Sequence, residues 1–134
     1  MIIVDSSIAL QWVLPEAGAA GAEQYLRADD SIGPDIVLVE VANVLAKKVR
    51  ANNMTGGEAS EALEIVRDAF TRLIPSEALV SRALELSVTL SHPVYDCVFL
   101  ACAERLQGRL VTRDVPFARR VRERGFGDLL EGAP

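Results

Sequence analysis

Short apolar runs of three or four residues alternate with longer helix-like stretches along the whole chain, with no linker, repeat or low-complexity segment between them. Strands separated by helical crossovers must run parallel, and a parallel sheet needs helices on both faces. With strands this short and few, helix dominates. Met1-Ile-Ile-Val4 reads as a buried strand that ends at Asp5. Ser6 and Ser7 open a helix that stops near Pro15, and a second helix is expected from about Ala17 to Asp30. Ser31-Ile-Gly-Pro34 is a short extended piece, and Ile36 to about Arg50 supplies three to four helical turns. Thr55-Gly-Gly-Glu58 is a capping box for a helix that continues to Phe70. Leu73-Ile74 follows as a strand, and Ser76 is expected to cap a helix reaching Leu90. Pro93 starts a strongly apolar helix over 94–107, with Gly108 as its expected left-handed stop. Leu110-Val-Thr112 is the last strand, and Val115 to Arg124 the last helix.

The 134 residues suit a single domain, expected over 1–134, and half apolar with a quarter charged excludes a disordered chain. No apolar run approaches the roughly 20 residues of a membrane span, and the N-terminus has neither the basic region nor the cleavage site of a signal peptide. Cys97 and Cys102 lie in one apolar segment and read as core thiols in a reducing compartment, with the cytosol as the expected location. A net charge of −5 argues against binding nucleic acid through overall charge, but the distribution is uneven. Residues 1–104 carry 15 acids against 7 bases, whereas residues 105–134 carry 7 bases, all arginine, against 4 acids. Arginine is suited to bidentate phosphate contact, although a solvated helix face would show the same composition.

In a parallel sheet, ligands sit at the carboxyl ends of the strands. Asp5 follows the first strand and Asp114 the last, and each could equally serve as a helix cap or turn residue. Glu40 lies within the apolar helix Ile36–Leu45, where an unpaired carboxylate is costly and a buried salt bridge is the alternative. Asp96 falls in the first turn of the 94–107 helix, where the helix dipole favours an acid in any case. If the four meet at one end of the sheet, pairs near 4 Å apart repel by roughly 4 kcal/mol at an effective dielectric of 20. Such a cluster must bind protons, an arginine or hard cations, and all-oxygen ligands select Mg²⁺ or Mn²⁺ over zinc. His92, the one imidazole, reads as a helix-entry residue, which excludes a Ser/His/Asp set elsewhere. No phosphate-cradling G-x-x-x-x-G-K-[ST] or dinucleotide G-x-G-x-x-G motif is present.

Four stretches carry a family resemblance: Ile3-Val-Asp5-Ser-Ser7, Pro34-Asp-Ile-Val-Leu-Val-Glu40-Val-Ala-Asn43, Tyr95-Asp96-Cys-Val-Phe-Leu-Ala101 and Leu110-Val-Thr112-Arg-Asp114. In order and spacing they resemble the PIN-domain ribonucleases, specifically the VapC toxins of VapBC toxin–antitoxin pairs. The resemblance implies a compact three-layer α/β/α sandwich. It assigns Asp5, Glu40, Asp96 and Asp114 to an acidic metal site, with Ser6, Asn43 and Thr112 as polar supports. Cys97 stands where a small apolar residue is expected, a mild departure. On this reading one or two Mg²⁺ or Mn²⁺ ions would hold the scissile phosphate, activate water and stabilise the leaving 3′ oxygen. Asp5 and Asp96 are first choices as direct ligands, with Glu40 and Asp114 a second pair. Arg113, Arg119 and Arg120 are the candidates to hold the RNA backbone. Similar toxins cut structured RNAs such as transfer RNA or ribosomal RNA, are covered by a cognate antitoxin and usually dimerise. A standalone processing nuclease of the same family is the main alternative. A non-catalytic PIN-like module should have lost an acid, and a phosphoacceptor receiver needs a late lysine, whereas the only lysines are Lys47 and Lys48.

Overall fold

The structure, a computed structural model, describes residues 1–14 and 30–132. Four strands, β1 (Ile2–Val4), β2 (Ser31–Pro34), β3 (Arg72–Ile74) and β4 (Arg109–Val111), form one parallel sheet in the order β3-β2-β1-β4. The described helices are α1 (Ser6–Gln11), α2 (Ile36–Arg50), α3 (Gly56–Ala69), α4 (Val80–Leu90), α5 (Val94–Leu106) and α6 (Val115–Glu123). They cover the sheet as an α/β/α sandwich, the architecture expected from the alternation of short strands and helices. The helix expected over 17–30 lies outside the described residues, save Asp30 at its end.

Helix α5 explains why so short a sheet holds together. Every residue from Cys97 to Ala103 is buried, and the helix packs against β1, β2 and β4. A helix apolar on all sides belongs in the centre of a protein. Burial lifts both cysteine thiols to about 11, so they are inert core groups. Among the described residues no single helix is long and apolar enough to cross a membrane.

The order β3-β2-β1-β4 makes the β1/β4 junction a topological switch point. The chain steps outward from β1 through β2 to β3, then returns to the other side of β1. Connections that leave neighbouring strand ends in opposite directions open a crevice there. The backbone N–H of Asp5 reaches the carbonyl of Val111 across it at 3.4 Å.

Several local signals behave as expected. Thr55 and Glu58 form the reciprocal capping box, with bonds of 3.1 and 2.9 Å. Two signals are corrected. Ser76 does not cap α4, which begins at Val80 after a 3₁₀ turn over Ser76–Ala78. Because β3 pairs with β2, Ser76 abuts the entry to α2: its hydroxyl donates to Asp35 Oδ1 at 2.6 Å and accepts from the Ile36 N–H at 3.2 Å. Likewise Gln107, not Gly108, takes the left-handed position at the end of α5, with φ 55°. The Gly108 N–H bonds back to Ala103 at 2.9 Å, completing a Schellman motif. Gly108 is small for another reason, since a Cβ there would stand 2.7 Å from the carbonyl oxygen of Met1.

Candidate active site

Asp5 caps α1 at the carboxyl end of β1, beside the crevice. Its Oδ1 accepts from the Ile8 N–H at 3.2 Å and from the Ser7 hydroxyl at 2.6 Å. Burial raises its pKa to about 6, with hydrogen bonds from Ser7, Thr112 and Ile8 opposing the rise and the charge of Asp96 adding to it. Glu40 projects from α2, whose buried face is Val37, Val41 and Leu45. Its Oε1 is buried without a hydrogen-bond partner. Burial lifts its pKa to about 7; the Ser6 hydroxyl opposes the rise, and the charges of Asp96 and Asp5 add to it. Among the described residues Glu40 makes no salt bridge, the alternative reading of its place in an apolar helix.

Asp96 and Asp114 complete the cluster from two further helices. Asp114 caps α6, its Oδ1 accepting from the Phe117 N–H at 3.1 Å, and the Thr112 hydroxyl accepts from the Asp114 N–H at 3.1 Å. Donor atoms of Asp96, Asp114 and His92 all lie within 4.8 Å of one another. Among the described residues, no lysine or arginine is within ion-pair distance of any of the four acids. Among the described residues their one basic partner is His92, whose Nε2 stands 2.6 Å from Asp96 Oδ2.

The donor set therefore fits a hard cation. It offers carboxylate oxygens from four elements, a buried oxygen with no partner, and mutual repulsion that a cation would relieve. Ser6 stands beside Glu40 and Thr112 beside Asp5. Asn43 does not join Glu40: it is exposed and makes no hydrogen bond among the described residues.

Two contributors escape a reading of the sequence. Ser7 bridges the crevice, donating to Asp5 and accepting from the Arg113 N–H at 3.1 Å. Its place two residues after Asp5, in the Asx-turn position, was the available signal. His92 was legible only as a helix-entry residue, because the ring that seats it belongs to Phe117 on α6.

The PIN domain family matches residues 2–123. The chain belongs to the PIN domain family. It is 32% identical over 122 residues to ribonuclease VapC3 of Pyrobaculum aerophilum, covering 89% of this chain and 93% of that one, which places it among the VapC members. The crystal structure of PAE2754 from Pyrobaculum aerophilum superposes with a TM-score of 0.70 at 20% identity, over 89% of this chain and 83% of that one, and corroborates the fold.

The arginines divide. Arg119 is exposed on α6, and Arg113 borders a cavity of about 280 Å³ with Ser7, Leu10, Gln11, Leu14 and Val44. Arg120 is occupied by the fold: its guanidinium donates to the carbonyls of Leu90 and Ser91 at the end of α4.

Proposed function

We propose that this PIN-domain protein is a Mg²⁺- or Mn²⁺-dependent endoribonuclease and the toxin of a type II toxin–antitoxin pair, acting in the cytoplasm as one domain over 1–134. The observation that carries this reading is the convergence of Asp5, Glu40, Asp96 and Asp114 with no lysine or arginine among the described residues in ion-pair contact with them. Four carboxylates alone would repel a phosphodiester, so the site makes sense as an RNA site only with a cation in it. Asp5 and Asp96 would hold that cation directly, and Glu40 and Asp114 directly or through water. The cation would supply Lewis-acid activation of water and charge stabilisation at the phosphate. Ser7 and Thr112 keep Asp5 oriented from both sides of the crevice, and Ser6 does the same for Glu40. Arg113 and Arg119 are the groups proposed to hold the RNA backbone, while Arg120 first serves the α4 terminus.

The relative named ribonuclease VapC3 supports RNA as the substrate and a VapB-type antitoxin as the partner. A homodimer acting on transfer or ribosomal RNA is the form we propose. The test is incubation of structured RNA with the protein and Mn²⁺, with and without EDTA. The expected products carry 5′-phosphate and 3′-hydroxyl ends and are absent in EDTA. Cyclic phosphate ends, or full activity in excess EDTA, would overturn the proposal.

A further inference from the structure

We propose that His92 is a positioning residue for the cation site, resting on the metal-dependent reading above: its Nε2–H donates to Asp96 Oδ2 and fixes that carboxylate before a cation arrives. The contact is 2.6 Å. Two ligands on one octahedral Mg²⁺, each at about 2.1 Å, would stand about 3 Å apart. At 2.6 Å a proton must lie between nitrogen and oxygen, so the nitrogen is committed to Asp96. One oxygen of Asp96 is thereby held, leaving the other to be offered to the cation.

The rest of His92 is arranged to make this hold firm. Its backbone is fixed by the end of α4, where Ser91 is left-handed at φ 50° and the His92 N–H bonds to the Ser87 carbonyl at 3.1 Å. The Ser87 hydroxyl donates to the His92 carbonyl at 2.5 Å. Arg120 ties the same turn to α6 through the carbonyls of Leu90 and Ser91. The imidazole, 15% exposed, lies on the ring of Phe117 with centroids 4.5 Å apart. Phe117 is also the residue whose N–H is capped by Asp114. One histidine thus registers the Asp96 helix against the Asp114 helix. An aspartate in the first turn of a helix, 34% exposed, would otherwise lose side-chain freedom on binding the cation.

Two variants separate positioning from packing. His92→Phe keeps a ring against Phe117 and removes the donor; His92→Gln keeps a donor at similar reach and removes the ring. Mn²⁺ affinity by titration calorimetry is expected to fall about 10- to 100-fold in His92→Phe, in the range seen when a group supporting a ligand is lost, and to stay within about threefold in His92→Gln. Pulsed EPR of Mn²⁺ on the parent protein is expected to show no imidazole nitrogen coupling. Equal affinity in His92→Phe, or a loss in His92→Gln as large as in His92→Phe, overturns the inference. Strong nitrogen coupling in the parent, absent in His92→Phe, makes His92 a ligand and also overturns it. A parent that binds no Mn²⁺ overturns the metal-dependent reading itself, whereas a parent that binds Mn²⁺ as tightly as His92→Phe overturns only this inference.

Discussion

Glu40 on α2 and Glu104 near the end of α5 are both partly buried helical glutamates, yet the fold treats them in opposite ways. Glu104 receives a two-point ion pair from Arg82, with bonds of 2.7 and 3.0 Å, and its pKa is held below the ordinary value. Glu40 receives no cation among the described residues, has a buried oxygen with no partner and titrates near 7. The same contrast runs along one helix, since α5 carries Asp96 at its start and Glu104 near its end. The chain therefore supplies counter-charge where a carboxylate joins two helices and withholds it at the strand ends. Withholding it costs stability in the metal-free protein and leaves a site that a cation can occupy.

The largest expected effect breaks the comparison at the level of activity. Glu40→Gln should lower RNA cleavage by about 100-fold or more, in line with losing a group that acts on the transition-state charge. Glu104→Gln should leave it within about twofold. Comparable losses in both variants, measured as initial cleavage rates in Mn²⁺, would remove the distinction between them.

The metal-free pH profile sharpens the comparison next. Asp5 titrates near 6 and Glu40 near 7 in the folded chain, each above its ordinary value. The folded state therefore binds their protons more tightly, so their contribution to stability is full below about pH 4 and is lost as pH rises through 6 to 7. In EDTA, Glu40→Gln should melt close to the parent near pH 5 and above it at pH 8. Glu104 has the opposite sign: its lowered pKa gives stability that is lost as pH falls through its folded pKa. A parent–Glu40→Gln difference that does not grow with pH would place the charge of Glu40 elsewhere.

Smaller effects concern surface charge. Arg82 and Glu104 are 41% and 35% exposed, so Glu104→Gln should cost no more than about 1 kcal/mol in thermal melts. Arg119→Ala should lower the slope of log affinity against log salt by about 0.7 and leave the melting temperature unchanged. Arg120→Ala should instead cost about 0.5–1.5 kcal/mol, because it abandons the carbonyls at the end of α4. Equal melting of these two variants would cancel the structural role given to Arg120.

What the sequence made legible was local or punctuated. Gly33-Pro34 delimits β2, and α2 starts and stops at Ile36 and Arg50 as its pattern indicates. Three of the acids stood out by position: Asp5 and Asp114 where strands stop, Glu40 within an apolar helix. A parallel sheet brings Asp5 and Asp114 to one edge, and the family resemblance implied that Glu40 and Asp96 join them. What stayed hidden depended on neighbours distant in sequence. Ser76 turns to Asp35 because β3 lies beside β2, Gly108 is small because Met1 passes over it, and Arg120 is drawn to α4 across 30 residues. His92 and Asp96 are four apart, a spacing visible in advance, but the ring of Phe117 on which the imidazole lies comes from a helix distant in sequence.

The central claim is that the clustered carboxylates form a cation site rather than a structural network, and Asp96→Asn tests it most directly. Asparagine removes one charge at nearly constant shape and keeps an oxygen for His92. Melting curves of parent and variant, each in EDTA and in Mn²⁺, are the measurement. The variant is predicted to melt at or above the parent in EDTA, because one source of repulsion is gone. Mn²⁺ at about 100 times its Kd should stabilise the parent by about 2.7 kcal/mol and leave the variant unmoved. A variant that melts far below the parent in EDTA, with the roughly 3–5 kcal/mol loss of a broken buried pair, would contradict the claim, as would a Mn²⁺ shift that survives the substitution.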